Sequence, residues 1–526
     1  MRLDYINIHE YSVKCTANTQ ITLDDDFNVP DSKPDIDVIV KECGNIIIDN
    51  IKVNQDKANV EGTLKFSLLY TGKRANDGRH LPVKMEGDMS FRDNINLSCE
   101  ADDTYVTCSS KLEDLTIKAI NSRKISVKAI VELKIVCEEI KDMQVTHDIE
   151  EDEDNINMQV LHKNIEFVEL KADTRDNFRI RENVSIPANK PDIDELIWSD
   201  VAIRNLNTRL TDSGLSVNGE LDIFIMYLSG DENQPMQWYE TSVNFDGNLD
   251  ITGCNPDMIS YADYRIISKN IEARPDYDGE NRDISVELVL DMNVKAYEEC
   301  EENIISDIYS PVRDLKLSIS KEKLKKLMIR NNSKCRVTGS VRLSEYANLL
   351  QICNSTADVQ IDAIEKDEDG LSIDGAILVN VFYITSDDGA PMGSVRSVIP
   401  FNHKIQMHTD KDMEYQIKAK IEQLSAAAGG ESQIEVKAVV SLDAICFQPF
   451  EIEIIKDCEV NDEISEEYAN MPAMVGYISD GKERLWDIAK KYHTTTASIK
   501  VSNTPVERLA DDMCVKNGEK LLLIKS

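Results

Sequence analysis

The six residues Glu365-Lys366-Asp367-Glu368-Asp369-Gly370 come nearest to a chemistry-bearing motif. They place oxygens at positions 1, 3 and 5 of a calcium loop and Gly at 6, but position 12, which should supply a bidentate Glu, is Ala376. The stretch therefore reads as a hairpin turn feeding a strand at Leu371. Of seven histidines, His403 and His408 are the pair close in sequence. Their spacing matches neither one face of a helix nor one face of a strand, so they read as surface residues rather than ligands. The twelve cysteines form no C-x-x-C pair, the closest being Cys99 and Cys108, and read as reduced, small, buried apolar side chains of a cytosolic protein. Phosphate-cradling, dinucleotide, nucleophile-elbow and zinc-helix motifs are absent from the sequence. Among 96 acids, neighbouring carboxylates carry no information. The chain reads as a non-enzyme, with no catalytic residue, no cofactor and no metal site.

The chain has 526 residues, 96 acidic against 59 basic, and a formal net charge of −37. That balance argues against nucleic acid and anionic bilayers as partners, because affinity for phosphate backbones comes largely from Lys and Arg. The start, Met1-Arg2-Leu3-Asp4-Tyr5-Ile6-Asn7-Ile8, lacks the apolar stretch of an export signal, and no segment is apolar enough to span a bilayer, so direct transmembrane anchoring is not expected.

A triplication organises most of the length. Lys33-Pro34-Asp35-Ile36-Asp37 recurs as Lys190-Pro191-Asp192-Ile193-Asp194, a shift of 157 residues. The same shift carries the segment around Gly62 onto that around Gly219, and a further 156 residues reach Gly375. Each glycine precedes apolar residues two apart: Leu64, Phe66, Leu68; Leu221, Ile223, Ile225; Ile377, Val379, Val381. Period two means strand, and a glycine at its start marks a bulge or a close backbone approach. A second block repeats at Ile125, Ile284 and Ile434, each followed by an Ile-x-Asp signature at Asp142, Asp307 and Asp457. The Pro-Asp-Ile-Asp segments are expected to start short helices, with acids near the positive end, and the third copy is degenerate at Ala347-Asn348-Leu349-Leu350. Turn signals at Asn76-Asp77-Gly78, Asp278-Gly279 and Asp388-Gly389 suit antiparallel hairpins, and Lys321 to Arg330 is the one helical pattern in this region. The acidic runs 148–154, 298–302 and 462–467 read as solvated joints. The expected fold is mainly β: three β-sandwich-like or open-barrel repeats over 1–155, 156–312 and 313–460, an acidic linker over 461–473, and a small domain over 474–526.

That last domain changes character. A short strand at Tyr477-Ile478-Ser479 leads to an amphipathic helix, Leu485-Trp486-Asp487-Ile488-Ala489-Lys490-Lys491-Tyr492, then a second helix ending at Asn503 and a strand Lys520-Leu521-Leu522-Leu523-Ile524. From Pro472 it holds nine Lys and Arg against seven Asp and Glu, about +2, leaving about −39 on the rest. This βααβ order, with Leu-Trp-x-Ile-Ala-x-x-Tyr and Asn517-Gly518-Glu519-Lys520-Leu521, resembles a LysM domain. The resemblance implies binding of peptidoglycan or other N-acetylglucosamine glycans, although the family's Gly-Asp-Thr turn aligns with the bulkier Lys482-Glu483-Arg484. Trp486, at the edge of the apolar stripe, reads either as a core residue or as a partly exposed anchor ringed by Lys482, Arg484 and Lys490.

The whole arrangement, acidic β repeats before one such domain, resembles the SipL-like spore-coat morphogenetic proteins, in which SPOCS domains precede LysM. The resemblance implies a scaffold in the mother-cell cytoplasm at the forespore surface, bound through its LysM domain to a SpoIVA-type morphogenetic ATPase, with the repeats contacting other coat proteins. The candidate partner-binding residues are Tyr477, Ile478, Lys482, Arg484, Trp486 and Lys490.

Overall fold

The computed structural model describes residues 2–73, 80–100, 105–150, 157–230, 236–343, 349–387, 389–410, 412–430 and 432–525. Period-two patterning dominates, and it produces six long strands per repeat. The first repeat comprises β1 (Arg2–Asn28), β2 (Ile36–Asn54), β3 (Lys57–Lys73), β4 (His80–Asn96), β5 (Tyr105–Asn121) and β6 (Lys124–Glu150). The second comprises β7 (Gln159–Ser185), β8 (Glu195–Thr211), β9 (Gly214–Leu228), β10 (Met236–Asp250), β11 (Ile259–Pro275) and β12 (Asn281–Tyr309). The third comprises β13 (Arg313–Arg342), β14 (Leu349–Asp367), β15 (Gly370–Thr385), β16 (Met392–Gln406), β17 (Glu414–Gly430) and β18 (Gln433–Ile464). Each repeat is two antiparallel three-stranded sheets: β1-β6-β5 with β2-β3-β4, β7-β12-β11 with β8-β9-β10, and β13-β18-β17 with β14-β15-β16.

The apolar rows after the three glycines face the partner sheet. Leu64, Phe66 and Leu68 are buried against Ile125, Val127 and Ala129, and the second and third repeats reproduce the layer. The glycines serve both anticipated purposes. Each lies opposite a phenylalanine of the next strand, in the pairs Gly62 with Phe91, Gly219 with Phe245 and Gly375 with Phe401. A Cβ would come within 2.5, 2.9 and 2.8 Å of those rings. On the other side, the register slips at Ile48/Asn50, Arg204/Asn207 and Ile361/Ala363, so a bulge also faces each glycine. The ring covers the missing side chain, a recurrent way of stabilising glycine in a sheet.

The Pro-Asp-Ile-Asp segments are turns running into strand, not helices. Ile36 and Ile193 drop into the cores, while the carbonyls of Pro34 and Pro191 accept hydrogen bonds from Tyr70 and Tyr227 at 2.9 and 3.0 Å. An arginine from the last hairpin clamps the turn. Arg123 donates to the carbonyls of Val29, Pro30 and Lys33, and Arg282 to Pro187 O and Asp192. Proline and acids signal tight turns as readily as helix starts, and here the arginine decides. In the third repeat the position of Arg123 and Arg282 is held by Ser432, whose carbonyl still accepts from Leu343 N–H. The degenerate third copy has thus lost proline, acids and arginine together. Residues 347 and 348, the turn at 76–78 and Asp388 lie outside the described residues, whereas Asp278-Gly279 forms the β11–β12 turn with Gly279 at φ 88°.

The first and last strands of each repeat run 27 to 32 residues, far past the usual 3–10. Their far ends extend beyond the sandwich and meet. One shared cluster takes Ile8, Met143 and Val145 from the first repeat, Ile165, Phe167 and Ile304 from the second, and Leu324, Ile452 and Ile454 from the third. A second cluster joins Val40 and Leu69, Ile197 and Met226, and Cys353 and Phe382, at the 157- and 156-residue shifts of the repeat. Beside it Lys41 Nζ pairs with Asp200 at 2.6 Å, and Asn354 donates to the same carboxylate at 2.9 Å. This junction corrects three expectations. Lys321 to Arg330 is strand, because pairing with β18 and burial of Leu324 outweigh the helical propensity of its Leu and Lys residues. The run 298–302 lies inside β12, paired with β7. The segment 461–473 is strand to Ile464 and then a helix, α1 (Glu466–Asn470), rather than a linker. The run 148–154 is strand through Glu150, and its remainder lies outside the described residues.

Gly219→Ala is expected to cost about 1–3 kcal/mol by overpacking. Phe245→Leu, which makes room, should recover part of that loss in the double variant. Urea unfolding of the four proteins checks the coupling, and strictly additive effects would refute the glycine–phenylalanine pairing as its source.

Candidate functional site

After α1 come β19 (Met474–Ile478), α2 (Leu485–Lys491), α3 (Thr496–Ser502) and β20 (Lys520–Ile524). The strands pair antiparallel into a two-stranded sheet. Leu485, Ile488 and Ala489 of α2 and Ile499 of α3 are buried beneath it with Leu521 and Leu523. Thr495 caps α3, its hydroxyl accepting from Ser498 N–H at 3.1 Å. Asn503 ties α3 to β20, donating to the carbonyls of Ile499 and Leu522 and accepting from Leu522 N–H.

This module is seated on the far end of the second repeat. Trp486 is 1 % exposed. Its ring meets Tyr309 edge to face at 4.7 Å, and its indole N–H donates to Asp307 Oδ2 at 2.8 Å. Lys490 Nζ reaches both oxygens of the same carboxylate at 2.8 Å. Tyr309 O–H donates to Thr494 O at 2.8 Å, and His493 Nδ1–H to Pro311 O at 3.0 Å. The edge of α2's apolar stripe is therefore neither a free anchor nor part of the module's core alone. It is the contact between module and repeat.

The six candidate residues divide accordingly. Trp486 and Lys490 face inward to Asp307. Arg484 forks onto Asp487 at 2.7 and 2.8 Å, and hydrogen bonds from that guanidinium hold the Asp487 carboxyl below its ordinary range. Tyr477 O–H donates to the Glu483 carboxylate, which also pairs with Lys491 at 3.0 Å; those hydrogen bonds, Tyr477's first, hold Glu483 low. The Lys482-Glu483-Arg484 loop thus has two of its three charges satisfied within the module. Ile478 and Lys482 are left facing solvent. Ile478, 64 % exposed, lies on the outer face of the sheet with Met474, 60 % exposed, and Leu522, which the register places opposite Gly476 between them. Met474 and Leu522 are the residues sequence reasoning missed. The alternation Met474-x-Gly476-x-Ile478 against Lys520-x-Leu522-x-Ile524 carried the signal.

Elsewhere, the calcium-like stretch is the β14–β15 hairpin, where Asp367 pairs with Lys404 at 2.8 Å. His408 is exposed, and the half-buried His403 contacts Ser333 Oγ at 3.0 Å. The cysteines depart from expectation at one point. Cys15 and Cys99, 84 residues apart, form a disulfide across a Cα separation of 6.0 Å. The fold brings β1 beside the segment after β4, which spacing alone did not show. Ten cysteines remain free, and Cys137 lies in the same cluster.

A family model described as "SipL, SPOCS domain" matches residues 35–120, 192–274 and 348–428. The chain therefore carries three SipL-like SPOCS repeats, a link to sporulation. Each match begins at the clamped turn, or its degenerate counterpart, and ends within the fifth strand, leaving the long flanking strands and the C-terminal module outside it. No curated protein and no solved structure matches the chain.

Tyr309→Ala with Asp307→Ala should release the module without unfolding it. The expected outcome is a red-shifted Trp486 emission, read in a background with Trp198 and Trp238 replaced by Phe, and faster proteolysis between residues 464 and 474. An unshifted spectrum would mean that Trp486 is buried by its own module alone.

Proposed function

We propose that this chain is a non-enzymatic scaffold of spore-coat assembly. Its C-terminal module, read as a LysM domain, contacts the forespore-surface morphogenetic ATPase, and its three repeats present surfaces to other coat proteins in the mother-cell cytoplasm. The three SPOCS repeats carry this reading. Support for a protein partner rather than a glycan comes from the module itself, whose loop is closed by its own Tyr477–Glu483 and Arg484–Asp487 bonds. Its exposed strip, Met474, Ile478 and Leu522, is apolar. Apolar strips rimmed by charge suit protein interfaces, and Lys482 and Lys520 supply such a rim. Repeated surfaces on one chain add weak contacts through effective concentration.

The decisive comparison offers the full-length chain to the immobilised ATPase and to insoluble peptidoglycan. Capture by the ATPase is expected, weakened at least tenfold by Ile478→Glu with the circular dichroism spectrum unchanged. Strong retention on peptidoglycan without ATPase capture would replace the scaffold by a glycan-binding protein.

A further inference from the structure

Between β8 and β11 of the second repeat and the β13-β18-β17 sheet of the third lies a chamber of about 560 Å³. Its charged lining is Arg330, Lys334, Lys418 and Lys420 against Glu422 and Asp443, a cationic excess inside a chain of net charge −37. Arg330 is paired with Asp443 and Lys334 with Glu422. The other two cations are not so matched. Lys418 and Lys420 are two apart on β17, so strand alternation sends both amines to the same side. Lys418 Nζ stands 3.4 Å from the centre of the Tyr261 ring, and Lys420 Nζ 3.8 Å from that of Tyr264. The nearest carboxylate to Lys420 is Asp263, at 3.9 Å. Among the described residues no carboxylate pairs with Lys418. Arg204 of β8, close by, is engaged by Asp222 and the carbonyl of Ile421.

Lys418 and Lys420 are half-buried, with 34 % of the Lys420 side chain exposed, and an ammonium drawn partly out of water is costly unless anions compensate it, a cost that aromatic faces offset only in part. Asn207, Thr208, Asn332 and Ser441 add neutral polar groups to the walls. We infer that this chamber binds a compact multivalent anion of the oligophosphate class, held by the Lys418 and Lys420 ammoniums. Lysine is a point-charge partner for phosphate, and the volume accepts two or three linked phosphoryl groups with their waters.

The two lysines set the pH dependence. Burial pushes Lys418 down to about 7 and Lys420 down to about 8, against the pull of Asp263 and Asp443. An anion favours the charged amines, so binding draws protons in and weakens as pH rises through those values.

Isothermal titration of the full chain with inorganic tripolyphosphate tests this. One saturable site is expected, at least tenfold tighter at pH 7 than at pH 9, with net proton uptake seen as a buffer-dependent heat. Lys418→Met with Lys420→Met should weaken binding more than tenfold, while Lys316→Met, on the exposed surface, leaves it unchanged. Lys418→Arg with Lys420→Arg, which keeps both charges, should bind with a flattened pH profile. Absence of a saturable heat with the native chain, or binding undiminished in the folded double Met variant, would overturn the proposal.

Discussion

An overlong strand pair must bury its far end against something. At about 3.3 Å per residue a strand of 27 residues is close to 90 Å long, more than one sandwich can cover. In each repeat the surplus carries an alternating apolar stripe with no sheet of its own opposite it. Three such stripes solve the problem mutually, since Val145, Ile304 and Ile454 are buried in one shared cluster. The tandem triplication therefore supplies the surfaces that cover these overhangs as well as multiplying the repeats. The Lys41–Asp200–Asn354 contact adds a polar constraint at the opposite cluster. Burial pushes the Asp200 carboxyl up, but Lys41, together with Lys269 and Trp198, holds it below its ordinary range. A buried pair of this kind fixes register more surely than it adds stability.

The same overhang explains why the C-terminal module has one seat. Counting 25 residues from the start of each second block, Ile125, Ile284 and Ile434, reaches Glu150, Tyr309 and Glu459. The second repeat has an aromatic residue there, and its ring stacks on Trp486, where the sequence of the other two has an acid. Asp307 then does two things at once, accepting from the indole and pairing with Lys490. His493 is seated against Pro311 and approaches Glu467 at 3.7 Å, so the links on both sides of the third repeat converge on the module.

Much of the sandwich was legible because a β-strand writes its burial into alternate residues. Gly62, Gly219 and Gly375 pointed to bulges for the right reason, although their phenylalanine partners lie on a strand whose pairing only the fold reveals. Misreadings fell where local signals are shared by two structures. Pro-Asp opens turns and helices alike, and Arg123, nearly 90 residues on, selects the turn. Lys321 to Arg330 has helical composition, yet Leu324 belongs to a cluster assembled from three repeats. Trp486 was ambiguous for the same reason: its partners, Asp307 and Tyr309, are some 180 residues away.

Seating the module on Asp307 and Tyr309 also determines its polarity. The helix face bearing Trp486 and Lys490 is occupied, whereas the outer face of the β19–β20 sheet is exposed, as are Val501 and Met513 elsewhere on the module. A sheet of two short strands has little apolar area of its own, and three exposed apolar side chains on it would be costly to keep in water without purpose. Contacts with Asp307 and Tyr309 seat the module on the second repeat, and Met474, Ile478 and Leu522 face outward at the part of the chain where the strong negative charge is locally relieved.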